Sequence, residues 1–417
     1  MKVLWITSRP IAGTCGTKGS ASSGSWLDAA FESCSKADGL ELGVASVGAV
    51  KEIKEYHEGK HSFYVLPGGS RVDYKVKSMK NIACWNKLRS MFNPDIIQIW
   101  GTEKGYYKLA QDVFHDKPCI IYIQGVLAKI AEEYSAGLSG WTKFVNTSLQ
   151  DILRGTSINK TQRRFYKLAK TEKALLLQSD GVIVENDWCE DQINAIAPDK
   201  KVFRSKLPIK DVFFKQEWEF QNIVPHTIFT NAGAAPIKGH HILFKALSLV
   251  VKKYPDVKIL IPGFNRMGNS LKDRLAQSGY SRYLRRLIYR YDLTQNIEYL
   301  GVLNSEEMAE AIAKANIFVM PSCIENHSSS LIEAMIVGAP CISSFVGGVG
   351  SIAVHKKNAL LYNFPDAESL AGSICRLLDD INLLLSISEE AKNIRQDRKV
   401  DLAEDFIGIY KSVLSRE

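Results

Sequence analysis

The chain has 417 residues, of which 46% are hydrophobic and 24% are charged, and its formal net charge is +8. These values are typical of an ordinary globular protein, and they exclude a disordered or low-complexity chain. Because this length exceeds what one hydrophobic core usually holds, we expect two domains of about 200 residues each.

The first half of the chain contains short apolar runs that are rich in β-branched and aromatic residues. They predict buried strands at 3–7, 42–47, 96–100, 119–123 and 181–185. The longer segments between these runs have helical character, and this alternation is typical of a parallel sheet covered by helices on both faces. The sequence therefore predicts an α/β fold for this half.

A second series of apolar runs begins after residue 220 and predicts strands at 228–231, 257–261, 297–300, 317–320, 340–343 and 359–362. Between the two series, residues 206–226 include Pro208, Pro225 and a polar stretch, which suits an exposed connection between domains. We therefore predict an N-terminal domain at 1–215 and a C-terminal domain at 222–395.

Two helices of the second half have clear signals. Ser305 is followed by Glu306 and Glu307, and a polar residue followed by acids is typical of the positive end of a helix. The last segment, 396–417, has apolar residues at helical spacing and predicts a C-terminal helix. That helix must dock on an apolar surface, which either domain can supply, and the N-terminal domain is one candidate.

The apolar and cysteine patterns bear on the compartment of the protein. No stretch approaches the roughly 18 uncharged apolar residues of a membrane-spanning helix, and the first apolar run is much shorter than the core of a secretory signal. The eight cysteines are scattered without a C-x-x-C pair or a Cys/His cluster, which argues against a zinc or redox site. We expect a reducing, cytoplasmic location, in which any contact with the inner face of a membrane is peripheral.

Positive charge is concentrated in two segments. Residues 141–173 hold eight Lys and Arg against two acids, and residues 266–290 hold seven against one. Such segments attract nucleotide diphosphates, anionic lipid head groups or nucleic acid, although solvated helix faces explain them equally well. No nucleic-acid-binding module is recognisable, so we expect no nucleic acid partner, whereas peripheral contact with an anionic membrane stays open.

The most informative segment is M-P-S-C-I-E-N-H-S-S-S-L-I-E-A-M-I-V-G-A-P at 320–340, which runs from a predicted strand through a polar loop into a helix. Backbone N–H groups at the start of a helix, together with its dipole, favour a phosphate without any metal. Ser330 and Glu333 also match the S-x-x-E capping box, so a structural role for Glu333 is an open alternative.

Glu325 and Glu333, with A-M and G-A-P after them, resemble the E-x7-E segment of retaining GT-B glycosyltransferases of family 4, also called glycosyl transferases group 1. The resemblance implies two Rossmann-like doubly wound domains that face across a cleft, with a C-terminal helix. It also implies that Glu333 binds the ribose of a nucleotide diphosphate sugar. The transferred sugar and the phosphates would then be contacted by Glu325, His327, Ser328 and Ser329.

The segment F-T-N-A-G-A-A-P-I-K-G at 229–239 is similar to the strand, loop and Lys-Gly step of the same family. The resemblance implies that Lys238 neutralises the diphosphate, with Gly239 beside the donor. The family usually has an Arg soon after the first glycine, where this chain has Ala234, so Arg266 or another basic residue would have to compensate. By the same resemblance Val302, at a strand end, lies near the nucleotide base.

The first half resembles the family in its general layout. Gly24 and Ser25 stand where the family has a glycine turn near the donor phosphates. The predicted strands at 96–100 and 119–123 are followed by Glu103 and Gln124, at positions where acceptor contacts usually lie. Gln124 stands where many relatives have a histidine.

The resemblance implies a retaining hexosyltransferase that uses a UDP- or GDP-linked sugar and a saccharide or lipid-linked acceptor, in surface polysaccharide biosynthesis. We expect no metal and no other cofactor, since neither an H-E-x-x-H nor a D-x-D motif is visible. Two alternatives remain open. One is a nucleotide-sugar epimerase or hydrolase of the same fold, and the other is a catalytically silent nucleotide-binding subunit.

Overall fold

The structure is a computed structural model that describes residues 1–11, 25–68, 79–230, 233, 235–263, 277–398 and 401–415. The chain forms two compact units. Unit 1 consists of Met1–Ala128, Tyr166–Pro208 and Lys399–Glu417, and unit 2 consists of Lys129–Phe165 and Ile209–Arg398. Residues 129–165, which the sequence analysis assigns to the N-terminal domain, thus pack within unit 2.

The strands, numbered in chain order, are β1 (Lys2–Ile6), β2 (Glu41–Gly48), β3 (Lys54–Glu58), β4 (His61–Pro67), β5 (Ile96–Trp100), β6 (Cys119–Tyr122), β7 (Gly181–Val184), β8 (Val202–Arg204), β9 (Val224–Thr230), β10 (Lys258–Ile261), β11 (Ile297–Tyr299), β12 (Ala315–Met320), β13 (Cys341–Ser344) and β14 (Leu360–Tyr362).

The α-helices of the described residues, also in chain order, are α1 (Ser25–Ser35), α2 (Met79–Met91), α3 (Tyr106–Val113), α4 (Leu127–Glu133), α5 (Gly140–Asn146), α6 (Leu149–Arg154), α7 (Ile158–Leu177), α8 (Asp187–Ile196), α9 (Asp211–Lys215), α10 (His240–Val250), α11 (Gly279–Arg290), α12 (Ser305–Lys314), α13 (Ser329–Val337), α14 (Ala367–Asp379), α15 (Ile381–Lys392), α16 (Ile394–Asp397) and α17 (Leu402–Leu414). Within these parts of the chain, no helix combines the length and the apolar character needed to cross a membrane.

Unit 1 contains an eight-stranded sheet in the order β3-β4-β2-β1-β5-β6-β7-β8. Every pair is parallel except β3 with β4, which form an antiparallel hairpin. The five strands predicted for this half are confirmed, whereas β3, β4 and β8 were not predicted. Two of the missed strands lie at the edges of the sheet, and β3 is exposed along its whole length, so it has no apolar run to detect.

The C-terminal helix α17 completes the core of unit 1. Phe406 packs against the rings of Trp5 and Trp100, at centroid distances of 6.3 and 5.8 Å. Tyr410 is fully buried, and its hydroxyl accepts a hydrogen bond from Trp5 Nε1 at 3.0 Å. Burying an aromatic side chain of this size stabilises a fold by about 2 to 3 kcal/mol, so unit 1 depends on this distant segment of the chain.

Unit 2 contains a six-stranded parallel sheet in the order β11-β10-β9-β12-β13-β14. All six strands predicted for the second half are confirmed. Relative to chain order this is the 3-2-1-4-5-6 arrangement of a Rossmann-like sheet, in which the order of the strands reverses between β9 and β12. Ligands of such sheets bind at the carboxyl ends of the strands beside this switch point.

The segment before α5 is tied to the rest of unit 2. His241 is buried, and burial lowers its pKa to about 3, so the ring is neutral at physiological pH. Its Nε2 donates to the carbonyl of Ala136 at 2.9 Å, and its Nδ1 lies 3.0 Å from the hydroxyl of Tyr280. These contacts fix residues near 136 beside α10 and α11.

Candidate functional site

The turn after β9 brings Lys238 to the carboxyl end of β12. Gly239 has a φ of +70°, and a Cβ at this position would lie 1.7 Å from the carbonyl oxygen of Pro321, so only glycine permits the approach. The turn is fixed further by a hydrogen bond from the amide of Cys323 to the carbonyl of Ile237, at 2.8 Å. The backbone therefore holds Lys238 beside the loop that follows β12.

Lys238 and Glu325 form an ion pair at the switch point of the sheet. Lys238 Nζ lies 2.7 Å from Glu325 Oε1, and the two side chains are 29% and 12% exposed. An ammonium group has three N–H donors, so the pairing leaves donors that can reach phosphate oxygens. Because Glu325 is an acceptor only, it suits the hydroxyl groups of a sugar.

Helix α13 begins directly after this loop. Ser328 is its N-cap, and its hydroxyl accepts from the amide of Leu331 at 3.3 Å. The amide of Ser329 precedes the hydrogen bond that runs along the helix from Ile332 to the carbonyl of Ser328. This N–H group and the helix dipole create a positive end next to Glu325.

The capping-box explanation of Glu333 is wrong. With Ser328 as the N-cap, the third helical residue is Leu331, and Glu333 lies two positions further along. A side chain there cannot return to the N-cap amide. Glu333 is instead buried, with 7% of its surface exposed, and burial raises its pKa to about 7, an effect that the charge of Lys210 partly opposes. Its carboxyl oxygens can accept hydrogen bonds from vicinal hydroxyls such as those of ribose.

The glycine-rich segment at 347–350 packs against the backbone of Glu325. Gly347 has a φ of +50°, and a Cβ there would lie 2.0 Å from the carbonyl oxygen of Glu325. The amide of Gly348 donates to the same oxygen at 3.0 Å. The two loops thus support each other, and a side chain at Gly347 would displace the loop that carries Glu325.

Of the other predicted donor residues, two follow strands of unit 2, one begins a helix of unit 1, and one lies outside the described residues. His327 is partly buried two residues after Glu325, and Val302 is 38% exposed after β11. Ser25 is the first residue of α1. Gly24, Ala234 and Arg266 lie outside the described residues. In the part of the chain that the structure describes, no three His, Cys, Asp or Glu side chains converge as metal ligands.

The two predicted acceptor-side residues come together in unit 1. Both side chains lie next to Gly101. A Cβ built at this glycine would lie 2.2 Å from Glu103 Oε2 and 3.3 Å from Gln124 Cδ. Burial raises the pKa of the Glu103 carboxyl. The Nε2 atom of Gln124 is buried and has no hydrogen-bond partner among the described residues. An unpaired buried donor is costly unless a ligand satisfies it.

Sequence reasoning missed the buried acid Glu172 on α7. Its Oε2 accepts from Thr102 Oγ1 at 2.5 Å, and its Oε1 accepts from the amide of Leu127 at 3.0 Å. Burial raises its pKa to about 7, and Glu103 contributes to the same shift. A signal was present, because Glu172 occupies the same helical stripe as Leu168 and Leu175, which are both buried.

Residues 215–394 match the family glycosyl transferases group 1. A GDP-mannose-dependent monoacylated alpha-(1-6)-phosphatidylinositol monomannoside mannosyltransferase of Corynebacterium glutamicum is 29% identical over 189 residues, which cover 44% of this chain and 45% of that protein. This chain spans less than half of the length of the first curated relatives that it matches.

Two solved structures extend over almost the whole chain. Sucrose-phosphate synthase from Thermosynechococcus elongatus has a TM-score of 0.71 and 16% identity, covering 100% of both chains. Anabaena HepE in complex with UDP and glucose has a TM-score of 0.67 and 16% identity, covering 99% of this chain and 100% of HepE. The chain therefore has the GT-B fold, and its residues 215–394 match the glycosyl transferases group 1 family.

Proposed function

We propose that this chain is a retaining hexosyltransferase that moves a sugar from a UDP- or GDP-linked donor to a saccharide or lipid-linked acceptor, in the biosynthesis of a surface polysaccharide. The observation that carries the proposal is the Lys238–Glu325 pair beside the amino end of α13, with Glu333 buried just over one turn along that helix. All three residues lie in unit 2 and within the part that matches the family.

Cleavage of the bond between the sugar and the diphosphate creates negative charge on the leaving phosphate. Lys238, the amide of Ser329 and the dipole of α13 form a positive group that stabilises this charge. This arrangement supplies the positive charge that a metal ion supplies in other enzymes, so we propose a reaction without a metal or other cofactor. Stabilisation of this kind contributes several kcal/mol to catalysis.

The two glutamates have different tasks in this proposal. Glu325 fixes Lys238 and accepts hydrogen bonds from the hydroxyls of the transferred sugar. Glu333 accepts from the ribose hydroxyls, which compensate the burial of its carboxyl. The glycine segment at Gly347 keeps the backbone of Glu325 in place while the donor binds.

The family resemblance supports retention of configuration as part of this proposal. The acceptor hydroxyl attacks the anomeric carbon on the face that the diphosphate leaves, and the leaving phosphate takes the proton of that hydroxyl. A new bond from carbon to the acceptor oxygen forms as the bond to the phosphate oxygen breaks. In unit 1, Glu103 and Gln124 are the residues that we propose for contacts with the acceptor.

The proposal is tested in two steps with the full chain. A thermal-shift screen of UDP, GDP, ADP and their sugars should identify one nucleoside diphosphate that raises the melting temperature, because a ligand that binds the folded state stabilises it. The matching sugar donor is then incubated with saccharide and lipid-linked acceptors, and the anomeric configuration of the product is read by NMR. A product of inverted configuration would contradict the retaining mechanism.

The same assay separates the alternatives. Rapid release of free sugar or an epimer without any acceptor would identify a hydrolase or an epimerase. Tight nucleotide binding without turnover on any acceptor would identify a silent binding subunit. The buried Nε2 of Gln124, which has no hydrogen-bond partner in the part of the chain that the structure describes, favours transfer over both, because it provides a site for a hydroxyl of a second substrate.

A further inference from the structure

Helices α5 and α6 expose an unusual number of large apolar side chains. Trp141 and Phe144 on α5 are 73% and 72% exposed, and Leu149, Ile152 and Leu153 on α6 are 72%, 63% and 86% exposed. We call these five residues the apolar face. Single exposed apolar residues are common on protein surfaces, but five within thirteen positions of two short helices mark an interaction site.

The apolar face is held outward by polar contacts on the opposite side of the same helices. Asp151 is 3% exposed and accepts hydrogen bonds from the amide of Gly279 at 2.6 Å and from that of Ser148 at 3.0 Å. Asn146 is also buried and accepts from Arg286 at 2.8 Å. The polarity of these helices is thus inverted, because their buried side is polar and their solvent side is apolar.

The charge around the apolar face is positive. Between residues 139 and 165 the only acid is Asp151, which is buried, and the cations are Lys143, Arg154, Lys160, Arg163 and Arg164. Helix α11, which contacts this segment through Asn146 and Asp151, has four arginines and no acid. The parts of the two basic segments at 141–165 and 279–290 therefore meet within unit 2.

We propose that the apolar face is a membrane-contact surface, whose aromatic and aliphatic side chains enter the interface of a bilayer while the surrounding cations bind anionic lipid head groups. Both features are required for stable peripheral attachment, since neither apolar contact nor charge is usually sufficient alone. A nucleic acid would use the cations but gains nothing from Leu149, Ile152 and Leu153. Exposed leucine and isoleucine side chains gain free energy when they move from water into contact with lipid chains, and tryptophan is enriched at the membrane interface.

This surface is connected to the donor loop within unit 2. The carbonyl of Glu133 accepts from Cys323 Sγ at 3.3 Å, two residues before Glu325, and Ala136 contacts His241 on the helix that follows Gly239. Membrane attachment would therefore place the loop near the bilayer surface. If the proposed transfer is correct, this location favours a lipid-linked acceptor over a soluble saccharide.

The inference is tested by co-sedimentation of the full chain with vesicles of phosphatidylcholine alone and of phosphatidylcholine with phosphatidylglycerol. We expect binding to the anionic vesicles that decreases with salt. The double variant Phe144→Ser/Leu153→Ser should weaken this binding by about tenfold or more, and so should Lys160→Glu/Arg163→Glu. Leu385→Ser is the matched control, because Leu385 is 42% exposed on α15, which packs against α13 and α14.

A spectroscopic measurement supports the assignment independently. Addition of anionic vesicles should shift the tryptophan emission to the blue, and Trp141→Phe should remove most of the shift while it keeps the binding. Each variant is first checked for an unchanged nucleotide-dependent thermal shift, so that loss of membrane binding is distinguished from failure of the proposed donor site. The apolar-face variants should fold normally, because the side chains that they change are exposed.

Four outcomes would overturn the inference. Failure of the wild-type protein to bind anionic vesicles would exclude a bilayer as the occupant of the apolar face. Vesicle binding by Phe144→Ser/Leu153→Ser that is as tight as that of the wild type would exclude it too. Equal binding to heparin or RNA that is unaffected by Phe144→Ser/Leu153→Ser would identify a general polyanion site instead. Reversible self-association that the apolar variants abolish would identify a second copy of the chain as the occupant.

Discussion

At the carboxyl ends of the strands in unit 2, the carboxylate of Glu325 lies against the ammonium group of Lys238, whereas in unit 1 the carboxyl of Glu172 is held by a hydroxyl and a backbone amide. Both sheets are Rossmann-like, and each has polar loops at the carboxyl ends of its own strands. The sheet thus provides the location of a site, and the loop residues decide its chemistry.

This difference predicts different ligands for the two units. A cation and a helix amino end in unit 2 suit a diphosphate. In unit 1, burial raises the pKa of Glu103 and of Glu172, and an anion would be repelled by their charged forms. Carboxyl and amide groups of this kind suit the neutral hydroxyls of a saccharide.

The largest effect is expected for Lys238→Ala, because this change removes the cation that lies against Glu325 in unit 2. We expect kcat to fall by about a hundredfold to a thousandfold, the usual result of removing one group that stabilises charge in the transition state. Steady-state kinetics with the identified donor measure the change. Lys314→Ala is the control, since Lys314 forms an exposed ion pair with Glu310 in the same unit. Equal loss of activity in Lys238→Ala and Lys314→Ala would contradict a catalytic role that is specific to Lys238.

The next effect concerns Glu333→Gln. A hydrogen bond to a charged group contributes about 1.5 to 3 kcal/mol, so the donor KM should rise by about tenfold to a hundredfold if Glu333 binds ribose. Glu333→Gln should also stabilise the protein above pH 7. Burial raises the folded-state pKa of Glu333 to about 7. The contribution of Glu333 to the free energy of unfolding is therefore greatest at low pH, where its carboxyl is protonated, and is lost as the pH rises through that value.

Thermal melts at pH 5 and pH 8, combined with donor titrations, test both statements about Glu333. Glu310→Gln on α12 is the control, because Glu310 is 56% exposed. A variant that is destabilised at both pH values, with donor affinity unchanged, would support a structural role for Glu333. A rise in stability together with weaker donor binding is the result that we expect.

Glu172→Gln tests the corresponding property of unit 1. Because burial raises the pKa of Glu172 to about 7, the wild-type free energy of unfolding should fall between about pH 4.5 and pH 7 by an amount on the order of a few kcal/mol. The glutamine variant should lose this part of the pH dependence, while its amide oxygen still accepts from the amide of Leu127. Urea unfolding across this pH range measures it, with the exposed Glu32→Gln as control. Identical slopes in wild type and Glu172→Gln would contradict the assignment.

The two units also differ in how well the sequence predicts them. All six strands of unit 2 are detectable because they contain apolar runs bounded by turn residues. In unit 1 the edge strand β3, with the sequence K-E-Y-H-E, has no such run, and its pairing with β4 is a tertiary event. The assignment of 129–165 to unit 2 depends on contacts such as that between Asp151 and Gly279, which are distant in sequence.

The candidate site shows the same limit on a smaller scale. The resemblance identifies Lys238 and Glu325, and the structure brings them together. The sequence cannot choose the cap of α13, because Ser328, Ser329 and Ser330 are equally good N-caps, and the choice depends on where the chain leaves β12. Glu172 was missed because a single acid in a lysine-rich helix is usually solvated, and its partners Thr102 and Leu127 come from other elements.

The smallest effect is expected for Gln124→Ala, which tests whether unit 1 binds a neutral hydroxyl. The buried Nε2 of Gln124 lacks a partner in the described residues, so its hydrogen bond is available to an acceptor. Loss of one neutral hydrogen bond costs about 0.5 to 1.5 kcal/mol, so the acceptor KM should rise by about twofold to tenfold with the donor KM unchanged. Gln178→Ala is the control, because Gln178 is exposed in the same unit. If the donor KM rises instead, Gln124 contacts the donor, and the division of the two ligands between the two units is wrong.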